Sequence, residues 1–183
     1  MVDLAGHLTA PVGTSAWDPG AAAAYRTRWS TLCLRLLSHG GAAVVPPASP
    51  DPYLEALLDG GLVALRSIPA PGWARSSGAN SADLWIFGVA HTVATGYALD
   101  DGGLWRQHAW AVTGDGGERI MLETTSVRRL YFGIELSGSA ALGFARANDP
   151  GTLDDVLATG YTLRTIHLWS ALEGTPSTAA RTS

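Results

Sequence analysis

The strongest constraint on the fold is the run Gly114-Asp115-Gly116-Gly117, set between two segments rich in strand formers, Arg106 to Thr113 and Glu118 to Thr125. Four turn-forming residues between two such runs predict a β-hairpin, because glycine and aspartate reach the backbone angles that a tight reversal needs. If the turn closes with Thr113 facing Glu118, then His108 faces Glu123. Side chains directly opposed on an antiparallel pair have Cβ atoms about 4.5–5.5 Å apart on one face. The turn alone therefore predicts an imidazole beside a carboxylate, and a bulge or a slip in register would undo that pairing.

Other elements follow from periodicity. Tyr25, Trp29, Leu32, Cys33 and Leu36 fall on one helical stripe, which puts Cys33 mid-helix on the apolar face, as a core thiol. The prolines 46, 47, 50 and 52 end this region. A short helix is expected over Tyr53 to Leu58, stopped by Gly60-Gly61, with a strand over Leu62 to Ile68. Ser76-Ser77-Gly78-Ala79-Asn80 reads as a loop feeding a helix on which Ala82, Trp85, Ile86 and Val89 recur. Strands are expected over His91 to Leu99 and Leu130 to Leu136, and short helices over Ala140 to Ala147 and Leu153 to Ala158. Tyr161 to Leu172 leans towards helix. The organisation expected is one α+β domain over 1–174, with its motif-bearing core over 73–148 and a flexible tail over 175–183.

Composition narrows the chemistry. The 183 residues are 46% hydrophobic and 15% charged, enough to bury a core. The net charge of −4, with no basic block, argues against sequence-independent nucleic-acid binding. All twelve basic residues are arginine. Without a lysine there is no pyridoxal-phosphate Schiff base and no phosphate-loop NTPase. Cys33 is the single cysteine, so neither an internal disulfide nor a cysteine-rich zinc site is available. No apolar run reaches the roughly 18–20 residues of a membrane span, and the first residues lack the pattern of a signal peptide. The expected location is the cytoplasm, with no membrane and no nucleic-acid partner.

A carboxylate beside a histidine fixes its tautomer and stabilises the imidazolium, as in the base half of a nucleophilic triad. The nucleophile to complete it is Ser77, in a glycine-containing loop at a helix start, where free N–H groups and the helix dipole favour developing negative charge. The competing interpretation of Ser77 is an ordinary N-cap. A different chemistry would group His91, His108 and Glu123 as a two-histidine, one-carboxylate metal site. His7, His39 and His167 look isolated, as surface or capping residues. Trp105, Trp110, Tyr131 and Phe132 flank the pair in the sequence and are more often core than substrate cleft, although Trp110 has the parity of His108 and can wall the same pocket. Arg106, Arg128 and Arg129 can bind a substrate carboxylate or phosphate, although a solvated face accounts for most such arginines.

The ordered series Gly96-Tyr97-Ala98-Leu99, His108-Ala109-Trp110 and Leu122-Glu123-Thr124-Thr125 resembles the core of transglutaminase-like and papain-like cysteine enzymes. It is more similar still to small bacterial proteins of that superfamily, in which a cysteine-histidine-x-asparagine motif opens a helix upstream of the glycine–tyrosine strand. The counterpart here is Ser77-Gly78-Ala79-Asn80, followed by Leu84-Trp85, and the likeness extends over roughly 73–148, including Tyr131-Phe132-Gly133. The resemblance implies N-terminal helices packed on an antiparallel sheet. It implies acyl transfer or amide hydrolysis without a cofactor, acting on a small molecule or peptide. Ser77 matches the nucleophilic cysteine, His108 the base and Glu123 the acidic orienter. Asn80 is the retained polar residue of the opening motif, and Gly78 and Asn80 border the oxyanion position. Arg106, Trp110 and Tyr131 are expected at the substrate cleft. The departure is serine in place of cysteine and Gly78 in place of the adjoining histidine. A hydroxyl is far less acidic than a thiol and needs stronger activation. The same series therefore also fits a diverged relative that keeps the cleft for binding, or that uses His108 and Glu123 for other acid–base chemistry in a biosynthetic pathway.

Overall fold

The computed structural model describes residues 18–70, 75–114 and 119–159. Within them the chain is α+β, with five helices and a mixed sheet. The elements in order are α1 (Pro19–Ser38), β1 (Ala43–Val44), α2 (Leu54–Gly60), β2 (Leu62–Ala64), β3 (Ile68–Pro69), α3 (Ser77–Ile86), β4 (Thr92–Leu99), β5 (Leu104–Thr113), β6 (Ile120–Glu123), β7 (Leu130–Leu136), α4 (Gly138–Asn148) and α5 (Pro150–Thr159). Hydrogen-bonded strands run in the order β2-β7-β4-β5-β6-β3, and β1 pairs with β5. Among the described residues no helix is long and apolar enough to cross a membrane. The expected helix over Tyr161 to Leu172, the tail over 175–183, His7 and His167 lie outside the described residues.

The chain divides into two compact units. One takes residues 18–66, 96–108 and 128–134; the other takes 67–70, 75–95, 109–114, 119–127 and 135–159. β4, β5 and β7 contribute residues to both.

In the first unit, Asp18 caps α1 through Oδ2, which accepts from Ala21 N–H at 3.1 Å, and Pro19 takes the first helical position, where no N–H is needed. The stripe of Trp29, Leu32, Cys33 and Leu36 packs with Leu54 and Leu57 of α2 and with Tyr97, Leu99, Trp105, Leu130 and Phe132 of the strands. Each such side chain contributes on the order of 1.5–3 kcal/mol by leaving water. Burial pushes the Cys33 thiol up to about 12, so it stays protonated and behaves as a core hydrophobe. Arg35 fastens the end of α2. It donates to the carbonyls of Leu58 (2.6 Å) and Gly61 (2.9 Å) and lies over the Phe132 ring at 4.9 Å. His39, at the α1 C-cap, stacks 5.9 Å from that ring.

The glycine of the Gly96-Tyr97 pair has a packing cause. A Cβ at Gly96 would run into the backbone carbonyl of Phe132 on β7. Beside it, Tyr97 is fully buried, and its hydroxyl donates to Asp51 Oδ2 at 2.9 Å. Asp51 also accepts from Tyr53 N–H at 2.9 Å, so one buried carboxylate ties the proline-rich segment to the strand.

In the second unit, α3 packs on α4 and α5, and Ala90, Ala111 and Leu122 form a small core with Ala70, Leu84 and Ile120 around it. The helix ends at Ile86, short of the Val89 that its apolar spacing includes. Gly88 takes a left-handed φ of 70°, and the N–H groups of Val89 and Ala90 both return to the Leu84 carbonyl.

Three expectations about the sheet are corrected. It is mixed, not antiparallel throughout, because β1 joins β5 and β3 joins β6 in parallel. The single strand expected over Leu62 to Ile68 is two short ones with different partners, β2 on β7 and β3 on β6. The hairpin register also differs. Thr113 pairs with Ile120, Val112 with Met121 and Ala111 with Leu122, two residues further along the second strand than the turn chemistry suggested. The connection therefore spans Gly114 to Arg119 and not four residues.

Candidate active site

α3 begins at Ser77, and its N-cap is Ser76, whose hydroxyl accepts from Ala79 N–H at 3.2 Å. The capping role that the competing interpretation gives Ser77 is thus performed by its neighbour. Ser77 Oγ instead accepts from Ala109 N–H on β5 at 3.3 Å, and the side chain is half-buried. Ala109 directly follows His108 in the chain. A nucleophile candidate at the start of a helix therefore meets the strand position next to the histidine.

Glu123 is the last residue of β6 and is 2% exposed. Its Oε1 accepts both the N–H and the hydroxyl of Thr125, each at 2.8 Å. These two bonds curl the chain and end the strand at Glu123, whereas the sequence suggests a strand continuing to Thr125. They also fix the carboxylate's rotamer. The observed register, extended by one position, sets Glu123 across from Trp110, where the hairpin arithmetic had set it across from His108. Because the slip is an even number of residues, alternation is preserved. Glu123 keeps the face of Trp110, and His108 has that same parity on β5.

His108 is 7% exposed, and its ring lies 6.2 Å from the ring of Tyr131, tilted by 40°. Tyr131 is fully buried, and its hydroxyl accepts from Arg128 N–H at 3.0 Å, which ties it to the chain before β7. Trp110 is buried as well. Arg106, assigned from sequence to a substrate anion, is exposed and donates through Nε to Asp100 Oδ2 at 3.1 Å, at the base of the β4–β5 turn. Among the described residues no group of three or more His, Cys, Asp and Glu side chains is placed to hold a metal ion, so the set of His91, His108 and Glu123 is not assembled.

Gly78 and Asn80 are both buried. A Cβ at Gly78 would overlap the side-chain oxygen of Asn148, the last residue of α4, whose amide nitrogen donates to Phe144 O at 2.9 Å. The close approach of α3 to α4 is sufficient cause for a glycine here.

Sequence reasoning missed a cluster beside this helix opening. Arg75 Nη1 lies 2.9 Å from Asp83 Oδ2 and 2.8 Å from Asp149 Oδ2, and both carboxylates are almost fully buried. Burial, then the hydrogen bond and charge of Asp149, push the Asp83 carboxyl up to about 6 against the pull of Arg75 and Thr152. For Asp149 burial is outweighed by bonds from Arg75, Asp83 and Thr152, which hold its carboxyl well below the ordinary range. Asp149 also accepts from Thr152 N–H at 3.3 Å in the first turn of α5. A signal was present: Ala79, Ala82, Asp83 and Ile86 share one buried stripe of α3, and an acid on such a stripe requires a partner.

No family model, no curated protein and no solved structure matches the chain.

Proposed function

We propose that the protein is an acyl-transfer or amide-hydrolysis enzyme of the transglutaminase-like and papain-like kind, with Ser77 as nucleophile, His108 as base and Glu123 as the carboxylate that orients it. The observation that carries this reading is the Ser77 hydroxyl. It is free of capping duty and accepts from the N–H of the residue after His108 at 3.3 Å. Its helix start offers unpaired N–H groups to a developing oxyanion. The doubly bonded Oε1 of Glu123 supplies a carboxylate of fixed orientation. The substrate class is a small molecule or peptide carrying an amide or ester carbonyl. Attack by Ser77 Oγ would pass the hydroxyl proton to the histidine, form the acyl-enzyme and release the amine or alcohol with that proton. Water or a second amine would then remove the acyl group.

The test is a fluorophosphonate probe followed by intact mass. One adduct at Ser77, lost in Ser77→Ala and in His108→Ala, is expected. Absence of any adduct at Ser77 under conditions where the protein is folded overturns the reading. Ser77→Cys is expected to gain thiol-dependent hydrolysis of activated esters, because the sequence keeps His108 and Glu123 at the matching positions of the resembled series.

The Ala109–Ser77 hydrogen bond also favours a second reading, in which the hydroxyl only ties α3 to β5 and the cleft binds its ligand without acylation. Under that reading Ser77→Ala lowers stability by about 1 kcal/mol, the usual worth of one hydrogen bond, and leaves ligand affinity unchanged.

A further inference from the structure

We propose that Asp83 and Asp149 share a single proton and, through Arg75, form a proton-dependent latch that fastens the opening turn of α3 and so holds Ser77 against β5. The latch stands on the geometry of its own residues; only its consequence for Ser77 reactivity rests on the acyl-transfer reading.

Two carboxylates that are 2% and 5% exposed converge on one guanidinium nitrogen, at 2.9 and 2.8 Å. If both were ionised, the buried cluster would hold two negative charges against one positive, and the excess charge is costly in a low-dielectric setting. One shared proton removes it. Asp83 Oδ1 and Asp149 Oδ2 are both buried without a hydrogen bond among the described residues, but Arg75 Nη1 lies 2.8 Å from the latter, so Asp83 Oδ1 is the oxygen to carry that proton. Asp149 is the natural anion of the pair, because it caps α5 and accepts the Thr152 N–H at 3.3 Å. The charged groups facing the pair are Arg75, ahead of α3, and the two acids themselves on α3 and at the start of α5, with Thr152 as the polar neighbour.

Arg75 is directly followed by the cap Ser76 and by Ser77. The first helical bonds, Ala79 N–H to Ser76 Oγ at 3.2 Å and Asn80 N–H to Ser76 O at 3.0 Å, are made by the segment that the latch holds. The sign follows from linkage. Asp83 is raised to about 6 in the closed latch and returns towards its ordinary 3.8 when the latch opens. The closed state therefore binds the extra proton, and opening becomes easier as pH rises between those two values. Above about 6 both states are ionised at Asp83 and the dependence levels off. In the closed latch Asp149 stays ionised throughout this interval.

Amide hydrogen exchange at Ala79 and Asn80 in the full-length protein, corrected for intrinsic rates, reads the opening. In the wild type the opening constant is expected to rise by about tenfold per pH unit from roughly pH 4.5 to 6 and then to plateau. Asp83→Asn keeps a neutral donor towards Asp149, and its opening constant is expected to be flat over the same range. A merely structural role would shift protection in Asp83→Asn without removing a pH slope. A flat wild-type profile, or a wild-type slope surviving in Asp83→Asn, overturns the latch. Should Asp83→Asn not fold, carboxyl-carbon titration of the wild type decides. One aspartate titrating near 6 and its partner below the ordinary range supports the shared proton; both titrating near 4 overturns it. With the exchange pattern present, failure of the fluorophosphonate probe to label Ser77 at any pH refutes the acyl-transfer reading and leaves the latch standing.

Discussion

Gly78 offers a sharp test of what the helix opening is built for. Gly78→Ala adds one methyl where the Asn148 side-chain oxygen already lies. To make room, Asn148 must swing away and lose its 2.9 Å bond to Phe144 O, worth about 1 kcal/mol. Asn148 is exposed and its oxygen is the tip of a flexible side chain, so it can yield, and the crowding left behind adds at most about 1 kcal/mol. The helix-propensity gain of alanine over glycine returns at most about 1 kcal/mol. The net expectation is a loss of about 1 kcal/mol, read as a fall in Tm of about 2–4 °C for a chain of this size. Asn148→Ala alone is expected to cost about 1 kcal/mol. The double variant is expected to be no less stable than Gly78→Ala, since alanine at 148 vacates the volume that the new methyl needs, and the cycle should close with a coupling of about 1 kcal/mol. Urea denaturation of the four proteins measures this. A Gly78→Ala protein as stable as wild type, or strictly additive losses, refutes the packing account. If the double variant recovers stability but not Ser77 labelling, the glycine also serves the oxyanion position.

Tyr97→Phe leaves buried Asp51 without its 2.9 Å donor and is expected to destabilise by about 1–3 kcal/mol, measured by urea denaturation; a neutral result would show that the bond contributes nothing net. Cys33 is expected to resist iodoacetamide at pH 8 in the native protein and to react once unfolded, as followed by intact mass; native labelling at an unfolded rate would contradict its burial and its thiol near 12. Global stability is expected to decline as pH rises from about 4 to 6, because Asp83 is raised in the fold, and Asp83→Asn should flatten that decline in parallel denaturation series. Glu123→Gln keeps an acceptor for Thr125 but loses the negative charge, so probe labelling of Ser77 is expected to fall at least tenfold with a change in stability near 1 kcal/mol; equal labelling would remove Glu123 from the site.

Much of the fold is legible in the residues because its causes are local. Trp29, Leu32, Cys33 and Leu36 repeat at helical spacing, and they form the α1 face of the core. Gly114 does begin a reversal between β5 and β6, and even the slipped register keeps Glu123 on the face of Trp110, since side-chain alternation has a period of two. The serine at the helix opening is legible too, but which of two adjacent serines caps the helix is not; Ser76 takes the cap through its bond to Ala79 N–H, and that turns Ser77 towards Ala109.

What only the tertiary structure decided involves groups brought together from distant parts of the chain. β1 and β3 are two residues each, too short to carry any period, and exist only because β5 and β6 present free edges to them. The two-residue shift in the hairpin register is decided by the pairing of Thr113 with Ile120 across the sheet. Asp83 stands out as an acid on a buried stripe of α3, but the partners it requires, Arg75 and Asp149, are settled only once α3 and α5 meet. Periodicity encodes which face of an element is apolar; it does not encode which partner that face will meet, and burial of charge is settled by the partner.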